Sequence, residues 1–310
     1  SKEYVERLNG KDYQQIAKEG GGILLTCKQT NKASDSELEK LLSKRIDRMI
    51  DRGLCALEIK SGYGLDFENE YRHTKIINKI KEQYKDKLII KNTFLAAHSV
   101  PQKYSNSKMY ISEVVIPLLD KVAKENLIDA VDIFHEKGYF DNHDVNQLFT
   151  HATNLGIPVK LHADEFNDNN GATIGDKYNA LSVDHLLKIS DKGIEALSTS
   201  STVAVVLPGT GLFLGKDQAP VKKMLDKGVK VAIATDFNPG SSHHCKLLDL
   251  AITMAPTYKM NIAQVWASIT YNPACALGIE NLGSITKGSL PHFFIHDCSK
   301  HEDIFYNLNI

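Results

Sequence analysis

The sequence predicts an α/β protein built as a (β/α)8 barrel of the TIM type that lacks its first strand, and three observations carry the prediction. Short apolar runs alternate with helical patterns along most of the 310 residues, which is the mark of βαβ units, a parallel sheet and right-handed crossovers. Polar and ionisable residues stand at the C-terminal end of run after run, as in a closed barrel whose chemistry sits at that rim. Two of those ends are rich in such groups: Lys160-Leu161-His162-Ala163-Asp164-Glu165, and the stretch from Val229 to Ser242 that holds Asp236 and a Gly-Ser loop.

The elements follow in order. Residues 1–21 are polar and mixed, with a helical pattern around Tyr13, Ile16 and Ala17 that stops at Gly20-Gly21-Gly22. That triplet reads as a turn and not a phosphate loop, because no Lys-Ser/Thr follows it. Ser34 and Ser36 stand before Glu37 and can cap a helix whose Leu38, Leu41, Leu42, Ile46 and Ile50 recur at helical spacing until Gly53. Strands are expected at 54–59, 88–97, 130–134, 157–161, 180–183, 202–207 and 229–234. Helices are expected between them at 68–84, 111–125, 143–155, near Ala172, at 191–197 and at 219–226, and after Asp236 only helices up to about Gly278. Seven strands fall one short of a closed barrel, and the simplest place for the eighth is before Ser1. From Leu282 onward the texture becomes short and β-like, as at Phe293-Phe294-Ile295, too little to bury a core. The expected division is a barrel over 1–278 and a fragment of an accessory β-domain over 279–310.

Composition excludes several classes of partner. Net charge is −1, from 37 basic and 38 acidic residues, so no field draws nucleic acid or an anionic membrane. No apolar run reaches a membrane span and the N-terminus has no signal-peptide core, so a cytoplasmic protein is expected. The five cysteines are scattered without C-x-x-C spacing, which argues for reduced thiols and against a thiolate zinc site.

The strand ends point to metal-assisted hydrolysis. A catalytic zinc or iron ion takes His and carboxylate ligands plus a water, whose pKa it lowers to about 7. His162 and Asp236 are candidate ligands. Glu165 is placed to move a proton between that water and a leaving nitrogen, and His185 to stabilise an oxyanion. Tyr63 and His98 lie on the same face and can contact substrate, while Asn238, Gly240 and Ser241 offer donors for a carboxylate. Each residue also has a structural reading: Asp236 as an Asx turn before Pro239, Asn238 to Gly240 as a plain turn. His73, His143, His151, His292 and His301 are assigned to structure. What raises the others is their common place at one barrel face.

Taken together, Lys60-Ser61-Gly62-Tyr63-Gly64-Leu65, Ala97-His98-Ser99-Val100-Pro101, Leu161 to Glu165, Asp184-His185-Leu186, Leu207-Pro208-Gly209-Thr210 and Ala234 to Ser242 resemble the motifs of the imidazolonepropionases, metal-dependent amidohydrolases, in their order. The resemblance runs from about Leu8 to Gly278. It implies hydrolysis of 4-imidazolone-5-propanoate to N-formimidoyl-L-glutamate in histidine degradation. It further implies one zinc or iron ion on His162 and Asp236, and Glu165 with His185 as the proton-handling pair. Substrate contacts fall on Tyr63, His98, Glu165, Asn238, Gly240 and Ser241, and a homodimer is expected.

One departure stands out. Family members carry a His-x-His at the end of a first strand, two further metal ligands, and then an Arg for the substrate carboxylate. The sequence has no His-x-His, and neither Lys2 nor Arg7 falls at the Arg position. On this ground a truncated member is expected, one that holds metal weakly and turns over little. The rival readings are an amidohydrolase of another cyclic amide or amidine, and a non-catalytic relic of the family.

Overall fold

The strands form because each is a short β-branched or apolar run that packs on both faces. Val203–Val206, for example, is Val-Ala-Val-Val with every residue buried. The computed structural model describes residues 2–11 and 21–306, so the helical pattern expected around Tyr13, Ile16 and Ala17 lies outside them. Its seven strands are β1 (Ala56–Lys60), β2 (Ile89–Ala97), β3 (Ala130–His135), β4 (Lys160–Ala163), β5 (Ser182–His185), β6 (Val203–Val206) and β7 (Val231–Ile233). They pair in sequence order and in parallel throughout.

The sheet curls. Lys60 of β1 reaches Asp184 of β5 with its ammonium, at 2.7 Å, a contact that a flat sheet with three intervening strands could not make, given about 4.8 Å between neighbours. Among the described residues nothing pairs with the outer edges of β1 and β7, so the barrel is open between them. That is the place the expected eighth strand would take.

Helices cover the outer face. Ser34 caps the helix Asp35–Ile50 in a capping box with Glu37, as its sequence suggests. The helix Phe67–Tyr84 lays Ile76, Ile77 and Ile80 against the sheet, and the helix Asn142–Asn154 buries Val145, Leu148 and Phe149. Burying such a side chain contributes about 1.5–3 kcal/mol. Helices that escape the sequence reading include Lys2–Leu8, Ile23–Lys32 and Pro208–Leu214. The last opens with Pro-Gly-Thr-Gly, a turn signature by composition, yet proline fits the first helical turn, where its missing N–H has no partner to lose.

The β-like pieces expected beyond Leu282 form no strand among the described residues. Residues 279–300 run as loop and turn, ending in the helix His301–Tyr306. Outside any sheet, Ile285 and Ile295 stay 93% and 80% exposed. Phe305 instead packs edge-on against Trp266, ring centroids 5.2 Å apart. All five cysteines are free, and among the described residues no helix is long and apolar enough to cross a membrane.

Candidate active site

The floor of the site is a buried charge cluster. Lys60, at the last position of β1, sets its ammonium 2.6 Å from Asp132 of β3 and 2.7 Å from Asp184 of β5. Contributions from alternate strands are how a barrel fills one interior layer. Ser182 donates to the other oxygen of Asp184 at 2.6 Å, and Lys160 of β4 bonds Glu58 at 2.9 Å. Burial works against ionisation of both carboxyls, but the charge of His162 and then of Lys60 holds Asp132, and Lys60 and then Lys160 hold Asp184, below the usual carboxylate range. Asp132, His162 and Asp184 bring possible ligand atoms within 4.8 Å of one another. Lys60 already supplies the positive charge at two of the three, so this cluster is a lysine site.

Above that floor stands His162. Its Nδ1 lies 2.9 Å from Asp132 Oδ2, but off the line of the ring N–H, so no aligned hydrogen bond forms. The backbone N–H of His162 donates to Asp132 Oδ1 at 3.2 Å. Around it gather His185, ring centroid 5.1 Å away, and His98 at 6.3 Å. Burial, with the charge of His162 next, drives His185 well below the ordinary histidine range and His98 down to about 4. Both imidazoles are neutral at neutral pH.

Glu165 follows in the loop after β4, its Oε1 3.7 Å from His185 Nδ1. Burial raises its carboxyl well above the usual range, Asp236 and Glu136 add to the effect and Lys216 opposes it. Asp236 stands just after β7 and is raised by burial, while the Thr210 hydroxyl, which donates to its Oδ2, works against the rise, as does the charge of His162. The five expected residues are thus linked: His98, His185 and Asp236 each sense His162, and Glu165 joins them through Asp236 and His185.

Backbone conformation aims these groups. Asp164, His185, Leu186 and Asp236 all have positive φ, at 53°, 80°, 62° and 48°, in a left-handed region that costs an L-residue about 1–2 kcal/mol. The strands thus end in turns that send side chains over the rim. The Tyr63 loop is held from below. Glu70, fully buried, accepts the N–H groups of Gly62, Gly64 and Leu65 at 3.0, 2.6 and 3.1 Å. Tyr63 then stands edge-on to His98, 5.3 Å between centroids, and His98 Nδ1 lies 3.1 Å from Gly62 O.

The loop of Asn238, Gly240 and Ser241 is closed on itself. The N–H groups of Gly240 and Ser241 both donate to Asn238 Oδ1 at 2.8 Å, and Asn238 Nδ2 donates to Asp236 O at 2.7 Å and Ser241 Oγ at 2.9 Å. These donors are spent inside the turn, and a bound carboxylate would have to draw them outward. Sequence reasoning missed Glu70, Asp132, Glu136 and Thr210 as supports. A polar residue at the end of a buried run was the available signal for Glu136, and a carboxylate inside such a run the signal for Asp132.

The donor set fits a metal ion. His162 and His185 each carry a buried Nδ1 with no aligned partner, and the Asp236 carboxyl finds one hydroxyl where a carboxylate has room for more. Imidazole nitrogen with carboxylate oxygen is the chemistry of zinc and iron sites.

Comparison with known proteins places the chain. The amidohydrolase family matches residues 58–309. The imidazolonepropionase of Idiomarina loihiensis is 39% identical over 99% of this chain and 76% of its own length, and that of Christiangramia forsetii 40% over 94% and 71%. Among solved structures, the 5-methylcytosine deaminase of Klebsiella pneumoniae superposes with a TM-score of 0.74 at 12% identity, over 90% of this chain and 73% of that one, a likeness of fold alone. With a curled parallel sheet, a rim of imidazoles and carboxyls, and relatives at this identity, the chain belongs to the amidohydrolase family and, within it, to the imidazolonepropionases.

Proposed function

We propose that the chain hydrolyses the cyclic amide of 4-imidazolone-5-propanoate to N-formimidoyl-L-glutamate, a step of histidine degradation, as a cytoplasmic homodimer acting on this small molecule with zinc or iron. The observation that carries the reading is the convergence of Glu165, His185, His162 and Asp236 at one rim of the sheet, in a chain whose relatives bear that enzyme's name. His162 and Asp236 would hold the ion. When bound, it supplies Lewis acidity and a water of low pKa.

The chain's own groups supply the rest. Water adds its oxygen to the ring carbonyl carbon, the C–N bond breaks, and the leaving nitrogen takes a proton. Glu165, whose buried carboxyl favours the protonated form, is the group that carries that proton. Neutral His185, within 3.7 Å of it, donates a hydrogen bond to the oxygen where charge develops. Tyr63 and His98 wall the ring side of the pocket, and the turn of Asn238, Gly240 and Ser241 would have to open to offer its donors to the propanoate.

The test is consumption of 4-imidazolone-5-propanoate by protein supplied with zinc or iron, measured beside guanine-like rings and cyclic ureas, with metal analysis of the same sample. Turnover of that substrate alone supports the reading. Preference for another ring refutes it, and protein that holds no ion and turns nothing over is the relic.

A further inference from the structure

Glu136 ends the Phe134-His135-Glu136 run, and no step of the proposed reaction uses it. It is 2% exposed, a burial that a carboxylate does not keep without partners. Among the described residues no ion pair neutralises it; its partners are N–H groups, nearly all from one loop. Oε2 accepts the backbone N–H of Phe166 at 2.8 Å and of Asn167 at 3.3 Å. Oε1 accepts the side-chain amides of Asn167 at 2.8 Å and Asn169 at 2.9 Å, and the N–H of its neighbour Lys137 at 2.8 Å. Phe166 is the residue directly after Glu165.

The other side of Glu165 is tied as well. Asp164 accepts the N–H groups of Asn169, Gly171 and Ala172 at 3.0, 3.1 and 3.2 Å. Glu165 itself has His185 as a neighbour at 3.7 Å and, among the described residues, no cation in contact. The charged groups it senses are Asp236 and Glu136, with Lys216 opposing them. One carboxylate therefore both fixes the backbone beside Glu165 and sits among the few charges near its carboxyl.

We propose that Glu136 is the positioning residue for Glu165: it holds residues 166–169 so that the Glu165 carboxyl faces His185, and it places a fixed negative charge beside that carboxyl. Its catalytic consequence rests on the reading of Glu165 as proton carrier; its structural content does not.

The experiment follows amide hydrogen exchange at Phe166 and Asn167 and the carbon-13 titration of the Glu165 carboxyl, in the whole chain. In the wild type both amides are protected; amides that exchange like an open loop overturn the proposal without any variant. In Glu136→Gln, which removes the charge and turns an N–H toward the loop donors, exchange at both amides speeds about tenfold or more, the value of one lost charge-assisted bond. Glu165 there titrates at lower pH. In Glu136→Asp the charge stays while the reach shortens, so exchange speeds and the Glu165 titration stays near that of the wild type. A Glu165 titration unmoved by Glu136→Gln, or amide exchange unmoved by it, overturns the proposal. A Glu165→Gln variant that keeps full turnover would refute the proton-carrier role and leave these readouts standing.

Discussion

Lys60→Met is the sharpest probe of the floor of the site. The substitution keeps the unbranched stem and deletes an ammonium lying 2.6 Å from Asp132 and 2.7 Å from Asp184. At an effective dielectric of about 20, Coulomb's law gives about 6 kcal/mol for each contact. Most of that is offset by the dehydration of three ions, and measured losses on breaking a buried pair are about 3–5 kcal/mol. The expected outcome at pH 7 is a loss of that size, read as a lower midpoint in urea unfolding followed by circular dichroism. The pH dependence has a definite sign. The wild-type carboxyls are held below their ordinary pKa, so their contribution is present above the unfolded carboxylate pKa of about 4 and is lost as pH falls through the folded value. In the variant one carboxyl must take a proton, and the deficit relative to wild type shrinks as pH falls. Lys60→Met combined with Asp184→Asn should recover part of the loss, a non-additivity expected of groups in one network. A Lys60→Met protein within about 1 kcal/mol of wild type at pH 7 would refute the claim that this lysine compensates the pair.

Other outcomes follow from the same geometry. His73 and His98 are both pushed down to about 4 by burial; the unfolded state then binds protons that the folded state refuses, and stability falls between pH 6.5 and 4 by up to about 3 kcal/mol for each. Urea midpoints that are flat over that interval would contradict it. Gly64→Ala places a Cβ 2.5 Å from Glu70 N and 2.7 Å from Asn69 C, both backbone. The expected cost is about 1–3 kcal/mol, with a raised KM because the Tyr63 loop shifts, and unchanged stability would show that the loop has room. Thr210→Val removes the hydroxyl donated to Asp236. Zinc affinity by titration calorimetry should drop about 10–100-fold, as for other groups that orient a ligand, and an unaltered affinity would remove Asp236 from the metal.

Much of this architecture is legible in the sequence because a parallel barrel strand is a short buried run with a polar end. All seven strands appear in order, but their limits drift where the interior is polar. The run at 157–161 suggests a strand that stops before His162, whereas β4 spans Lys160–Ala163. Lys160 faces inward to meet Glu58, so the strand does not read as apolar where it is most buried. The candidate residues were visible as types at strand ends. Their supports were not, since Lys60 meets partners 72 and 124 positions away and only the curl of the sheet brings them together. The turn from Asn238 to Ser241 takes the form of its structural reading: Asn238 closes an Asx turn, and the donors face inward for that reason.

The left-handed residues after β4, β5 and β7 have a consequence for how the enzyme can change. A leucine at φ 62° and an aspartate at φ 48° persist only because the sheet beneath them over-determines the backbone. Such corners leave side chains little latitude to explore new directions, and loosening one with glycine would free the chain at the cost of its aim. New substrates are therefore more readily accommodated by altering the Tyr63 and Asn238 loops, where lengths and side chains can vary, while the three corners stay as they are.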